Sequence, residues 1–170
     1  MKVRRQLEAM EEIVLNRLGD LTGDNWYRAP DGEWSVAQII SHLAVGMDLV
    51  SRAFEERADA RGMERRATPE QALLRHMLLG HGEFPERAEA PEMTVPDSRP
   101  NPEMVVAQFR MAAERMGAMV TEWPEERQLE VFVRHPYVGD LNLPEWVRFH
   151  YVHCRHHAKQ LEERLSWLGL

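Results

Sequence analysis

The stretch His150-Tyr-Val-His-Cys-Arg-His-His-Ala-Lys-Gln-Leu161 decides how this chain must be read. With about 100° of rotation per residue and His153 at zero, His157 falls at about 40°, His150 at about 60° and His156 at about −60°. Trp146, Val147, Leu161, Leu165 and Leu168 fall between about 20° and 120°, whereas Arg148, Arg155, Lys159 and Glu162 gather between about 180° and 240°. The segment is therefore an amphipathic helix. Its inward face carries His150, His153 and His157, and His156 lies at the margin.

Three further long segments repeat their apolar residues at three-and-four spacing. The first, roughly residues 2 to 19, aligns Val3, Leu7, Met10, Val14 and Leu18 and stops near Gly19. The second opens with Ser35-Val-Ala-Gln38, a capping box, and continues through Val36, Ile40, Leu43, Met47, Val50 and Phe54. The third starts at Asn101-Pro102 and keeps Val105, Phe109, Ala112, Met116, Met119 and Trp123 in phase until Pro124. Pro144 suits the first turn of the fourth helix, with Asn142 a better cap than Leu143. Four such stripes predict an all-α fold, a four-helix bundle forming a single domain over residues 1–170.

Between these helices, Thr68-Pro-Glu-Gln71 predicts a short extra helix running to about Gly80. Pro85, Pro91, Pro96 and Pro100 then space out a long surface excursion, a lid or interface element rather than regular structure. Residues 129–133, Leu-Glu-Val-Phe-Val, predict a short extended piece before a His-Pro-Tyr-Val-Gly-Asp turn.

Composition narrows the partners. A net charge of −7 opposes phosphate backbones, and no nucleic-acid recognition motif offsets it, so nucleic acid is not an expected partner. No apolar run approaches the ~18 residues a membrane span requires. One cysteine forbids an internal disulfide, and the N-terminal residues show no apolar signal core; a cytoplasmic protein is expected.

Two inward histidines four residues apart can share one metal ion, but a catalytic zinc usually takes three protein ligands and keeps one position open. The third ligand must come from another helix. His42 is the candidate, because it flanks the apolar stripe of the second helix with Gly46 leaving room one turn later. His150 and Cys154 remain alternatives; the expected roles are a core histidine hydrogen-bonded to backbone and a small buried hydrophobe. Gln160, one turn beyond His157, either orients a ligand or packs between helices. The Arg57, Arg61 and Arg65 stripe, interleaved with glutamates, is read as a solvated helix face, and His76, His81 and His135 have no evident partners.

Taken together, Trp34-Ser-Val-Ala-Gln-Ile-Ile-Ser-His-Leu43, His135-Pro-Tyr-Val-Gly-Asp-Leu141 and His153-Cys-Arg-His-His-Ala-Lys-Gln-Leu161 resemble the DinB-like superfamily, also described as DinB/YfiT-like metalloenzymes. The resemblance spans nearly the whole chain in order. It implies an up-down-down-up four-helix bundle in which three histidines bind a divalent metal, here His42, His153 and His157. The family's name refers to induction by DNA damage and implies no DNA binding. Characterised members include bacillithiol S-transferases and a mycothiol-dependent maleylpyruvate isomerase.

The resemblance thus implies a metal-dependent enzyme, in first place a thiol S-transferase that activates a low-molecular-weight thiol against a small electrophile. A metal-dependent hydrolase is the second reading, and a non-catalytic metal- or ligand-binding bundle the third. The expected ion is zinc or nickel, and the expected assembly a homodimer. No residue beyond the ligands is assigned a catalytic role.

Overall fold

Side-chain caps set where the principal helices begin. In the computed structural model, which describes residues 2–19, 21–85 and 89–170, Ser35 accepts from the Gln38 amide while the Gln38 side chain accepts from the Ser35 amide, opening α2 (Val36–Glu56). Asn142 and Glu145 form the same reciprocal pair at the start of α6 (Leu143–Leu168), and Asn101 caps α4 (Pro102–Glu122). Each cap satisfies amide protons that have no partner within their own helix. With α1 (Lys2–Leu15) these are the four long helices.

Ion pairs and aromatic contacts fix their relative directions. Arg4 meets Thr121 and Glu11 meets Arg110, so α1 and α4 run antiparallel. Asp48 meets Arg115 and Phe54 meets Trp123, so α2 and α4 run parallel. Arg17 of the turn after α1 reaches Glu162 near the end of α6, whereas Trp34, ahead of α2, lies beside His157. The order is up-down-down-up, and α6 lies between α1 and α2. The core is the sum of the four stripes: Met10, Val14, Ile40, Met47, Phe54, Phe109 and Met116 are fully enclosed. Hydrocarbon withdrawn from water, roughly 25 cal/mol per Å², is the main force holding the helices together.

The connections depart from the sequence expectations in instructive ways. The first helix ends at Leu15, four residues early, and Leu18 and Leu21 are buried from turns instead. α2 ends at Glu56, so Arg57, Arg61 and Arg65 do not share a helix face. Arg57 caps α2, and Arg65 grips Glu145 through two 2.8 Å bonds.

The short helix is α3 (Pro69–His76), begun by the Thr68/Gln71 capping box and continued by a π-turn, Met77–His81. The proline-spaced excursion carries a 3₁₀ turn at Glu92–Thr94; residues 86–88 of it lie outside the described residues. Of residues 129–133, Leu129 and Glu130 are helical, while Val131 is extended and Val133 opens the strand. Pro124 caps a short helix, α5 (Glu125–Glu130), whose first turn holds Glu125 and Glu126 against the positive helix end.

The strand comes later. β1 (Val133–His135) pairs antiparallel with β2 (Gly139–Leu141), and His135 lies opposite Gly139. Gly139 has φ +77°, and a side chain there would stand 2.7 Å from the Ala67 Cβ, so only glycine lets the hairpin seat against residues 66–67. The Asp140 amide donates to the Arg66 carbonyl at 2.9 Å and its carboxylate accepts from the Arg66 amide at 2.8 Å. This hairpin carries His135 into the wall of the cavity described next.

Candidate metal centre

α6 turns His153 and His157 toward α2, and α2 turns His42 toward them. The His153 Nε2 lies 3.2 Å from the His42 Nε2 and 2.9 Å from the His157 Nε2. One ligand atom from each of the three lies within 4.8 Å of the others, and all three residues are buried.

Their outer nitrogens are anchored. The His42 Nδ1 lies 2.8 Å from the Thr94 carbonyl, which only accepts, so that nitrogen carries the proton. The His157 Nδ1 donates likewise to the Gln160 side-chain oxygen at 2.7 Å. Both Nε2 atoms therefore present lone pairs inward. The His153 Nε2 has at most one proton to share between them, so at least one contact sets lone pair against lone pair. A cation at the shared point removes that conflict. Two nitrogens bound at about 2.0–2.1 Å in a tetrahedral arrangement stand roughly 3.3–3.4 Å apart. The 3.2 Å separation is close to that spacing, and the 2.9 Å one must open slightly when an ion enters.

Electrostatics agree with the geometry. Burial lowers the pKa of His42, against a raising contribution from the bond to Thr94. Burial first, then the neighbouring His157 and His42, holds His153 well below the ordinary imidazole range. His157 is lowered to about 3 by burial and by His42. All three rings are neutral at pH 7, as metal ligation demands. Cys154 is buried and free, and burial pushes its thiol upward, away from thiolate. It is a core residue, as expected.

His156 stands outside the cluster, half-buried, with the Phe84 ring stacked 4.9 Å away. Phe84 also stacks on His153, at 5.0 Å and 15°, while Trp34 covers His42 at 4.9 Å. Buried Arg164 donates to the Trp34 carbonyl at 2.9 Å and pairs with Glu33, fixing the segment that leads into α2.

The cluster opens on a cavity of about 1020 Å³ whose walls include Gly46, Leu49, Val50, Met93, Tyr137 and Phe149. His150 belongs to the same wall, but the expected backbone hydrogen bond is absent: among the described residues neither ring nitrogen finds a partner. Its ring stacks on Trp146 at 5.4 Å, which fills space without satisfying the nitrogens. Burial, with His135 and His42 nearby, lowers it to about 3. His135, assigned no partner from sequence, is buried against Phe149 and Trp146, and its Nδ1 accepts from the Tyr137 amide at 3.1 Å.

The profile of the DinB superfamily matches residues 6–161. The chain belongs to the DinB superfamily. No curated protein matches its sequence. Among solved structures it is similar to YfiT from Bacillus subtilis, described as "a probable metal-dependent hydrolase with an unusual four-helix bundle topology". The two share 17% sequence identity at a TM-score of 0.65, covering 99% of this chain and 86% of that one, a likeness of fold.

Sequence reasoning missed Thr94, Phe84, Trp34 and Arg164 as supports of this DinB-superfamily site. The proline spacing marked the segment that holds Phe84 and Thr94, but nothing in it pointed to His42. A carbonyl contact leaves no trace in residue identity.

Proposed function

We propose that His42, His153 and His157 hold a divalent metal ion, zinc or nickel, and that the protein is a metal-dependent transferase using a low-molecular-weight thiol. The observation that carries this reading is the convergence of three neutral imidazole Nε2 atoms on one point at the edge of a large apolar cavity. Bound there with a position left open, a divalent ion supplies Lewis acidity that lowers the pKa of a thiol or a water.

The chain's own groups do the rest. Thr94 and Gln160 keep the Nδ1 protons of His42 and His157 directed outward, so that their lone pairs stay aimed at the ion. Phe84 and Trp34 shield the imidazoles from bulk water. Leu49, Val50 and Phe149 offer an apolar bed for the electrophile, and about 1020 Å³ is room for two small substrates side by side. The thiol sulfur bonds to the electrophilic carbon, the leaving group departs with its bonding electrons, and the thiol proton passes to solvent.

A hydrolase is the second reading, supported by the fold shared with YfiT and by the same Lewis acidity acting on water. Cobalt-loaded protein distinguishes the two. Titration with bacillithiol, mycothiol or glutathione is expected to produce sulfur-to-cobalt charge-transfer absorption, and the reconstituted protein to consume thiol with an alkyl electrophile. Unchanged absorption together with turnover of ester or amide substrates assigns the hydrolase instead. Failure to bind any divalent ion overturns both.

A further inference from the structure

The face of α6 turned away from the histidines borders a second cavity, of about 560 Å³, in whose wall arginines stand. Gln6, Arg75, Leu79, Gly80 and Arg148 are in its wall. Arg148 donates through Nε to the Leu79 carbonyl at 3.1 Å, and Arg75 through Nη1 to the Asp140 carbonyl at 3.4 Å. Among the described residues neither guanidinium pairs with a carboxylate. Glu145 also faces this cavity, but the Arg65 fork already neutralises it. Two uncompensated positive charges therefore share one concavity on a chain of net charge −7.

Two further features shape this place. Gln6 is 8% exposed as a residue, and its side-chain amide, which makes no hydrogen bond among the described residues, is open to the cavity rather than sealed in the core. The wall opposite is the π-turn Met77–His81, closed by Gly82 at φ 74°. Such a turn, closed by a left-handed glycine, is an ordinary way to end a helix. Here the turn brings Leu79 and Gly80 to the cavity, and the Leu79 carbonyl holds Arg148 in place.

We propose that this cavity binds a small anion, a phosphate- or carboxylate-bearing molecule, between Arg75 and Arg148, with the Gln6 amide as a neutral donor. Guanidinium forks suit both oxyanions, and charge-assisted hydrogen bonds are the stronger kind. The site stands apart from the metal reading, because it shares no residue with the histidine cluster.

Amide-resolved NMR of the full chain tests it, with inorganic phosphate and then succinate titrated at constant ionic strength so that general screening is held fixed. Saturable shifts are expected at Leu79, Gly80 and the Arg75 and Arg148 side chains. Arg75→Ala and Arg148→Ala should each weaken binding about tenfold or more, and Arg148→Lys should recover only part of the loss.

His42→Ala, which dismantles the metal cluster, should leave this affinity unchanged. Binding of either probe at these residues supports the site, and the ratio of the two affinities assigns the headgroup. The proposal is overturned by the absence of saturable shifts, by shifts confined to the histidine cavity, or by undiminished affinity in Arg75→Ala. The last outcome decides even if Arg148→Ala loosens the π-turn.

Discussion

α2 meets its two neighbours in opposite ways. Toward α4 it is closed with hydrocarbon: Met47, Phe54, Phe109 and Met116 are fully enclosed, and Phe54 stands edge-on to Trp123 at 6.2 Å. Toward α6 it is held open around imidazoles, and the space between is a cavity. The contrast teaches that one helix divides its labour by angle. Its stripe supplies stability and its flank, at His42, supplies chemistry, so the two should be separable by mutation.

The strongest way to break that comparison is on the closed side. Phe109→Ala removes a fully buried ring and should cost about 3–5 kcal/mol of unfolding free energy, because the packed helices cannot collapse onto the void. Metal content of the folded fraction should not change. Urea denaturation alongside elemental analysis measures both, and a matching loss of metal would show that the two sides are not separable.

On the open side the largest stability effect is electrostatic. Burial lowers His135 from 6.5 to about 4. Above pH 6.5 the ring is neutral folded or unfolded and contributes nothing. Between about 6.5 and 4 the unfolded chain binds the proton and the folded chain does not, so stability falls as pH falls. The loss is on the order of 3 kcal/mol by pH 4, at about 1.4 kcal/mol per unit. Unfolding curves of chelator-treated protein from pH 7 to 4 should therefore be flatter in His135→Phe than in the parent; parallel curves would contradict the buried neutral ring.

His42→Ala sharpens the comparison from the chemical side. Metal affinity should fall by about tenfold or more, whereas thermal unfolding of the metal-free protein should hardly move. His156→Ala, one residue before a proposed ligand, should leave metal affinity unchanged, since that ring stacks on Phe84 outside the cluster. Equal losses in the two variants would mean that the ligand set is wrong.

The smallest effect concerns His150. Both ring nitrogens are buried without partners among the described residues, so replacing the ring with hydrocarbon of similar volume removes a desolvation cost. His150→Leu should raise stability by about 1 kcal/mol, read from the urea midpoint. A destabilisation would show that those nitrogens are satisfied in solution.

Much of this was legible without coordinates. The caps Ser35, Asn101 and Asn142 and the four apolar stripes are local signals, and the helices begin where they say. The inward placement of His153 and His157 with His156 at the margin followed from helical period alone, because i and i+4 must share a face. The end of the first helix, the start of the extended piece expected at 129–133 and the dispersed arginines differ from the sequence reading. In each case continuation competed with turn chemistry, and contacts beyond the segment decided.

What the sequence by itself determined, then, is the four long helices and the direction in which each histidine of α6 points, since both depend on neighbours within a turn or two. Only the tertiary structure decided that His42 stands 3.2 Å from His153, that the Thr94 carbonyl sets its tautomer, that Phe84 covers the cluster and that His150 is left unpartnered. Those facts join residues dozens of positions apart, and two of them turn on a backbone carbonyl and on a missing partner. Neither is written in the identity of any single residue, because both arise only when the bundle closes.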